Sequence, residues 1–303
     1  MKSISLYALF PTDRLKKLRN LRLPGQRLTT CAVGPLAALF GPTRPLPLAS
    51  DRKTLGRALV EFQFMLETLL PLGPVLPAAF VCQFADTDAL DAFLIAHAEK
   101  LQQALAEFGS RRQHQIAIRY DGSGAAPGAD WPHAFETILR EACVDVLMLP
   151  REDETVLFNA AVLIEGDGTE RLDAALEKID AFDTAALRIK CAGPLPACAF
   201  ASVRAEPLAV ERVNDACERL AVAREASLPD IKAAFRALMK VVHPDVRTSS
   251  DVARGAETAA REARDLLLRV REAELALDKA GRRFPAPPPA LRFLRADSSG
   301  QAA

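Results

Sequence analysis

Up to about Glu206 the sequence alternates between strand-like and helix-like stretches, and beyond it the apolar residues recur at helical spacing only. That change of period constrains the fold more than any short motif does, because a strand pattern and a helix pattern bury their apolar residues differently. The expectation is an α+β chain: a mixed N-terminal domain, a second domain of the ferredoxin-like type and an all-helical C-terminal module. With 303 residues, 50% of them apolar, the chain has material for two or three cores.

The first stretch, "ISLYALFP", alternates and is rich in strand formers, and Thr12 or Asp13 is placed to cap a helix over "TDRLKKLRN". "LTTCAVGPLAALFG" reads as extended chain. After the loop "GPTRPLPLAS", Ser50 or Asp51 is placed to cap a helix through about Leu70, whose inward face is Leu55, Leu59, Phe62, Met65, Leu66 and Leu69. "GPVLPAAFVCQF" reads as a buried strand, "DTDALDAFLIAHAEKLQQALAEFG" as one capped helix closed by Gly109, and "HQIAIRYD" as an alternating strand. The loop "DGSGAAPGAD" marks the end of the first domain, 1–125.

In the second domain, 126–203, residues 131–148 read as helix and "TVLFNAAVLIEG" as strand. The turn "DGTE", the helix "RLDAALEKIDAF" and the strand "ALRIKCAG" complete a β-α-β unit suited to a ferredoxin-like sandwich. The helical module follows at 206–284, and the proline-rich stretch 285–303 reads as a disordered tail.

Thirty-nine basic residues balance thirty-nine acidic ones, so charge gives no case for whole-chain binding to nucleic acid or to an anionic membrane. No run approaches the roughly 18 apolar residues of a membrane span, and the N-terminus lacks the apolar core of a secretory signal. A cytoplasmic protein is expected. The six cysteines, Cys31, Cys82, Cys143, Cys191, Cys198 and Cys217, follow no paired spacing and read as reduced, buried thiols. Asp86, Asp88 and Asp91 lack the glycine and distal glutamate of a calcium loop and read as helix capping. His97, His114 and His133 fall in no metal or catalytic motif, so no enzyme, metal or cofactor is expected.

"LYALFP", "GPVLPAAFVCQFADTDALDAFLIAHAEKLQQAL" and "CAGPLPACAF" stand in an order that resembles the gas vesicle protein family GvpL/GvpF, over about residues 4–200. The resemblance implies a non-enzymatic accessory protein of gas vesicle assembly, associated with the vesicle. Its implied partners are the hydrophobic shell protein and other accessory proteins. Physically, a shell subunit must show apolar surface before it polymerises, and such surface associates indiscriminately unless covered.

The helical module contains "CERLAVAREASLPDIKAAFRALMKVVHPDV", which resembles a J-domain, the module that engages Hsp70 chaperones of the DnaK type. Leu220, Ala221 and Val222 stand where a leucine-glycine-valine usually ends the first short helix. On the second helix Ile231, Phe235, Leu238 and Val242 share an inward face, while Lys232, Arg236 and Lys240 form a basic stripe. Pro244 disfavours helical backbone at His243, which ends the helix and displays His243 and Asp245 at its tip. The resemblance implies that His243, Pro244 and Asp245 contact Hsp70, with Lys232, Arg236 and Lys240 steering the encounter. The reading left open beside it is a minor structural component or scaffold of the vesicle that keeps a degenerate J-fold.

Overall fold

The computed structural model describes residues 3–21, 27–43, 52–123, 127–151, 153–183, 185–242, 250–284 and 286–296. Strand β1 (Ile4–Pro11) forms where expected, but past a bulge between Leu6 and Ala8 it buries Ala8, Leu9 and Phe10 in succession instead of alternating, and a short 3₁₀ turn leads into helix α1 (Leu15–Asn20) without a side-chain cap from Thr12 or Asp13. β2 (Thr29–Val33) and β3 (Leu36–Pro42) form a hairpin whose turn uses Gly34 at φ +56°, a conformation that costs glycine little. β1 pairs antiparallel with β3, from Ile4 opposite Pro42 to Pro11 opposite Leu36.

Helix α2 (Arg52–Leu69) covers this sheet. Met65, Leu66 and Leu69 are buried with Ala8, Phe10 and Leu39, as the periodicity predicts. Leu59 departs from the expected inward face and is 44% exposed. The expected caps Ser50 and Asp51 lie outside the described residues. "GPVLPAAFVCQF" is not one continuous strand: it gives β4 (Leu76–Pro77) and β5 (Gln83–Phe84), both pairing with β1. The prolines and the intervening turn leave only short pieces able to pair.

The helix expected from Asp86 to Gly109 is two helices, α3 (Thr87–Ala96) and α4 (Ala98–Phe108), broken at His97. Asp86 caps α3 by accepting a hydrogen bond from Ala89 N at 2.9 Å. Both helices are amphipathic, so the apolar spacing runs across the break and hides it.

β6 (Arg112–Tyr120), α5 (Trp131–Ala142), β7 (Asp145–Met148), β8 (Val156–Ile164), α6 (Thr169–Asp180) and β9 (Leu187–Leu195) follow in β-α-β-β-α-β order. Their sheet runs β7-β8-β6-β9, antiparallel throughout. Phe135 and Leu139 of α5 and Leu172, Ala175 and Ile179 of α6 pack on Ile116, Ile118, Phe158 and Val162 of the sheet. The unit therefore begins at β6, and a boundary at 125/126 would cut it between its first strand and first helix. Residues 145–148 are strand, not the tail of a helix: the helix stops at Ala142, and Asp145 to Met148 pair with Leu163 to Ala160.

β10 (Ser202–Glu206) precedes α7 (Val210–Leu220), α8 (Leu228–Val242) and α9 (Ser250–Lys279), and β11 (Ala290–Leu294) pairs with β10. The expected disordered tail is thus ordered over 286–296, with Pro287 and Pro288 buried and Arg292 paired to Glu206 at 3.2 Å. Its ordering comes from pairing with a distant strand, which local composition does not register.

The chain divides into two compact units that do not follow the sequential order expected. One comprises Phe84–Glu99 and Ala205–Arg292, and the other Lys2–Gln83, Lys100–Arg204 and Phe293–Ala303. In the first, α3 packs on α9 beside the contacts of α9 with α7 and α8. In the second, the two larger sheets carry separate apolar clusters.

Candidate functional site

The helical elements α7, α8 and α9 enclose a core of Val213, Ala216, Leu220, Ile231, Ala263 and Leu267, among others. α8 starts with a reciprocal cap. Ser227 Oγ donates to Asp230 Oδ2 at 2.6 Å, and Asp230 N donates back to Ser227 Oγ at 3.3 Å. α7 ends in a Schellman turn, with Val222 N on Cys217 O and Ala221 N on Glu218 O, both at 3.0 Å. Ala221 itself is left-handed, at φ 51° and ψ 46°.

This framing decides which face of α8 is free. Ile231 is buried, and Phe235 and Leu238 are half-buried against α9, as their spacing predicts. Lys232, Arg236 and Lys240 are all exposed, one helical turn apart, in the stripe expected of them. The side chain of Val242 and the residues His243, Pro244 and Asp245 lie outside the described residues. On α9, Glu274 accepts from Arg224 at 2.6 Å and from Arg271 at 3.3 Å, tying the turn after α7 to the far end of the long helix.

A second surface was not singled out in the sequence. On α2, Val60 and Phe64 are 65% and 62% exposed and stand one turn apart, with Leu59 beside them. Apolar spacing on this helix runs nearly all round it, which is the signal that more than one face is apolar.

The residues set aside as ordinary divide differently in space. Asp86 caps α3 as expected, and Asp88 and Asp91 line a cavity of about 250 Å³ with Arg282, Arg283 and Phe284. Among the described residues no group of three or more His, Cys, Asp or Glu is arranged to hold a metal ion. His97 Nε2 lies 2.8 Å from the Pro289 carbonyl. His133 supplies its carbonyl to Thr137. His114 acquires a partner that sequence spacing does not reveal: Cys191 Sγ is 3.6 Å from its Nδ1.

None of the six cysteines is in a disulfide. Cys82, Cys143 and Cys217 are buried as expected, Cys31 and Cys198 are half-buried, and Cys191 is exposed, contrary to expectation. Burial pushes the Cys143 thiol up to about 11 and that of Cys198 up to about 12, which keeps both protonated and inert. No helix among the described residues is long and apolar enough to cross a membrane.

The gas vesicle synthesis protein GvpL/GvpF family model matches residues 4–127 and 131–202. The helices from Val210 onward lie beyond that range. Among solved structures, the chain is similar to the gas vesicle protein GvpF from Microcystis aeruginosa, at 15% identity and a TM-score of 0.49. That match covers 65% of this chain and 98% of the other. It is similar to GvpF from Anabaena sp. PCC7120 at 17% identity and a TM-score of 0.48, covering 65% and 94%. A third structure, an unknown protein from Galdieria sulphuraria, aligns at 13% identity with a TM-score of 0.19, covering 63% and 96%. No curated protein matches the sequence. The family match spans well over half of the chain and includes the two larger sheets, β1 to β5 and β6 to β9: the chain belongs to the gas vesicle synthesis protein family GvpL/GvpF.

Proposed function

We propose that this protein is a cytoplasmic assembly factor that holds hydrophobic shell subunits of the gas vesicle and recruits a DnaK-type Hsp70 through a J-domain-like helical module. Family membership carries the role in gas vesicle formation. The β-α-β-β-α-β order of the middle sheet supports a ferredoxin-like domain between the two functions.

The observation that carries the chaperone reading is the free face of α8. Lys232, Arg236 and Lys240 project from one side of a helix whose other side is committed to α9, and the helix leads toward His243, Pro244 and Asp245. Such a row meets an acidic partner with favourable long-range attraction, which accelerates encounter and weakens with salt. The exposed Val60 and Phe64 on α2 support the other half of the reading, because a row of apolar side chains matches a partner that is itself apolar before assembly.

The test is steady-state ATP hydrolysis by a DnaK-type Hsp70 with the native protein, with Asp245→Asn, and with Lys232, Arg236 and Lys240 all changed to Glu. Stimulation by the native protein that disappears in both variants and declines with salt is the expected result. Absence of stimulation by the native protein overturns the chaperone reading. Shell-subunit binding is read separately, by loss of co-purification in a Val60→Glu, Phe64→Glu variant, and its persistence there overturns the α2 assignment.

A further inference from the structure

The pairing of β6 with β9 is regular from Tyr120 opposite Leu187 to Gln115 opposite Ala192, and then shifts so that Gln113 meets Leu195. One extra residue on β9, where Gly193 and Pro194 stand opposite His114 alone, makes a bulge there, and bulges of this kind re-aim side chains. Gly193 lies in it at φ +148°, so close that a Cβ there would meet His114 Nδ1 at 2.9 Å and Gln113 O at 2.8 Å. The imidazole is held on that side by backbone, is only 8% exposed, and has Nδ1 turned to Cys191 Sγ at 3.6 Å. Cys191 itself is exposed on the edge strand.

A thiol on an exposed edge-strand residue whose hydrogen-bond partner is a buried, fixed imidazole is an arrangement for removing the thiol proton at the moment of reaction. From this geometry we infer that Cys191 is a peroxide-reactive thiol with His114 as its proton acceptor. The thiol S–H proton passes to Nδ1 as sulfur attacks one oxygen of hydrogen peroxide. The O–O bond breaks, and the departing hydroxide takes the proton back from the imidazolium. Sulfur ends as a sulfenic acid, oxidised by two electrons, and the peroxide ends as that S–OH plus one water.

The electrostatics fit a neutral pair, not a thiolate formed in advance. Burial lowers the His114 imidazole from its ordinary value, with Asp173 opposing, and burial raises the Cys191 thiol, with Asp173 adding to the rise. At neutral pH the imidazole is free to accept. Once it holds the proton, the Asp173 carboxylate on α6 stabilises the charged imidazole, and the same carboxylate opposes a thiolate formed in advance. Cys143, which also interacts with Cys191, is buried and kept protonated, and Arg171 acts on Cys143.

The experiment uses the reduced full-length protein, hydrogen peroxide, and dimedone as the sulfenic acid trap, with adducts located by mass spectrometry across neutral and mildly alkaline pH. Cys191 is expected to trap at least about tenfold faster than a short unstructured cysteine peptide near pH 7, a conservative fraction of typical general-base assistance. His114→Asn is expected to remove that advantage and leave a rate that rises with pH only as the thiol ionises. A Cys191 rate equal to the peptide's, or one unchanged in a folded His114→Asn protein, overturns the inference. If His114→Asn does not fold, His114→Gln, which also cannot take up the proton, is measured in its place, and an unchanged rate there overturns the inference.

Discussion

The guanidinium carbon of Arg264 stands 4.3 Å over the ring centroid of Phe235, joining the middle of α9 to the inward face of α8. Arg264 also pairs with Asp265 at 2.7 Å, so its head group is held by a carboxylate while its face covers an aromatic ring. This contact keeps the basic face of α8 turned outward. Phe235→Ala is expected to cost about 2–3 kcal/mol, because the ring is half-buried, and Arg264→Ala about 1 kcal/mol. A double-mutant cycle by urea unfolding is expected to return a coupling of about 0.5–1 kcal/mol.

Ala221 occupies the left-handed position of the turn after α7, where a side chain is strained and glycine is not. The hydrogen bonds of that turn come from the backbone and do not need the methyl group. Ala221→Gly is therefore expected to stabilise the protein by about 1 kcal/mol, after allowance for the greater freedom of glycine in the unfolded chain. A rise in the urea midpoint with unchanged slope checks this.

Gln113 is 7% exposed, and its Oε1 accepts a hydrogen bond from Ala199 N at 2.7 Å. The side chain thus pins the turn 197–200 to the first strand of the middle sheet. Gln113→Leu keeps the volume and leaves a backbone donor without its partner, with an expected loss of about 1–3 kcal/mol. Faster amide exchange at Ala199 than at its neighbours is the local signature to look for.

The Asp153 carboxyl is held at about 2 by the Thr155 hydroxyl and by Arg119, whose Nη1 is 2.9 Å from Oδ2. Because the folded value lies below the unfolded one, the carboxylate's contribution to stability is complete above the unfolded value of 3.8 and is lost as pH falls through about 2. The stability difference between native protein and Asp153→Asn is expected to be flat above that window and to close within it. Thr155→Val is expected to move the carboxyl back toward 3.8, read from its carbon chemical shift in a pH titration.

Local periodicity was enough to place α6, which buries one face of a regular helix, while β1 and β8 were legible as runs of strand formers, β8 being buried on both faces. β7 was hidden for the opposite reason. "VDVLML" continues the apolar spacing of α5, and what makes it a strand is the ladder offered by β8. β11 depends in the same way on β10, which lies far away in sequence. At the candidate sites, the basic stripe of α8 was legible because a helix face is a local property. The Cys191–His114 contact was not, since 77 residues separate the two and only the β6–β9 register brings them together. Val60 and Phe64 were read past because apolar spacing alone cannot tell a second exposed face from a buried one.

The membership of α3 in the same compact unit as α7 to α9 sets a schedule for biosynthesis. Leu90, Phe93 and Leu94 are fully buried, and α3 packs on α9, which leaves the ribosome long after it. At about 5–20 residues per second, the nascent chain must carry that uncovered helix for on the order of ten seconds before its partner exists. A protein proposed to shield the apolar surfaces of others therefore passes through an interval in which its own third helix needs shielding, and a chaperone already engaged during translation would meet that helix first.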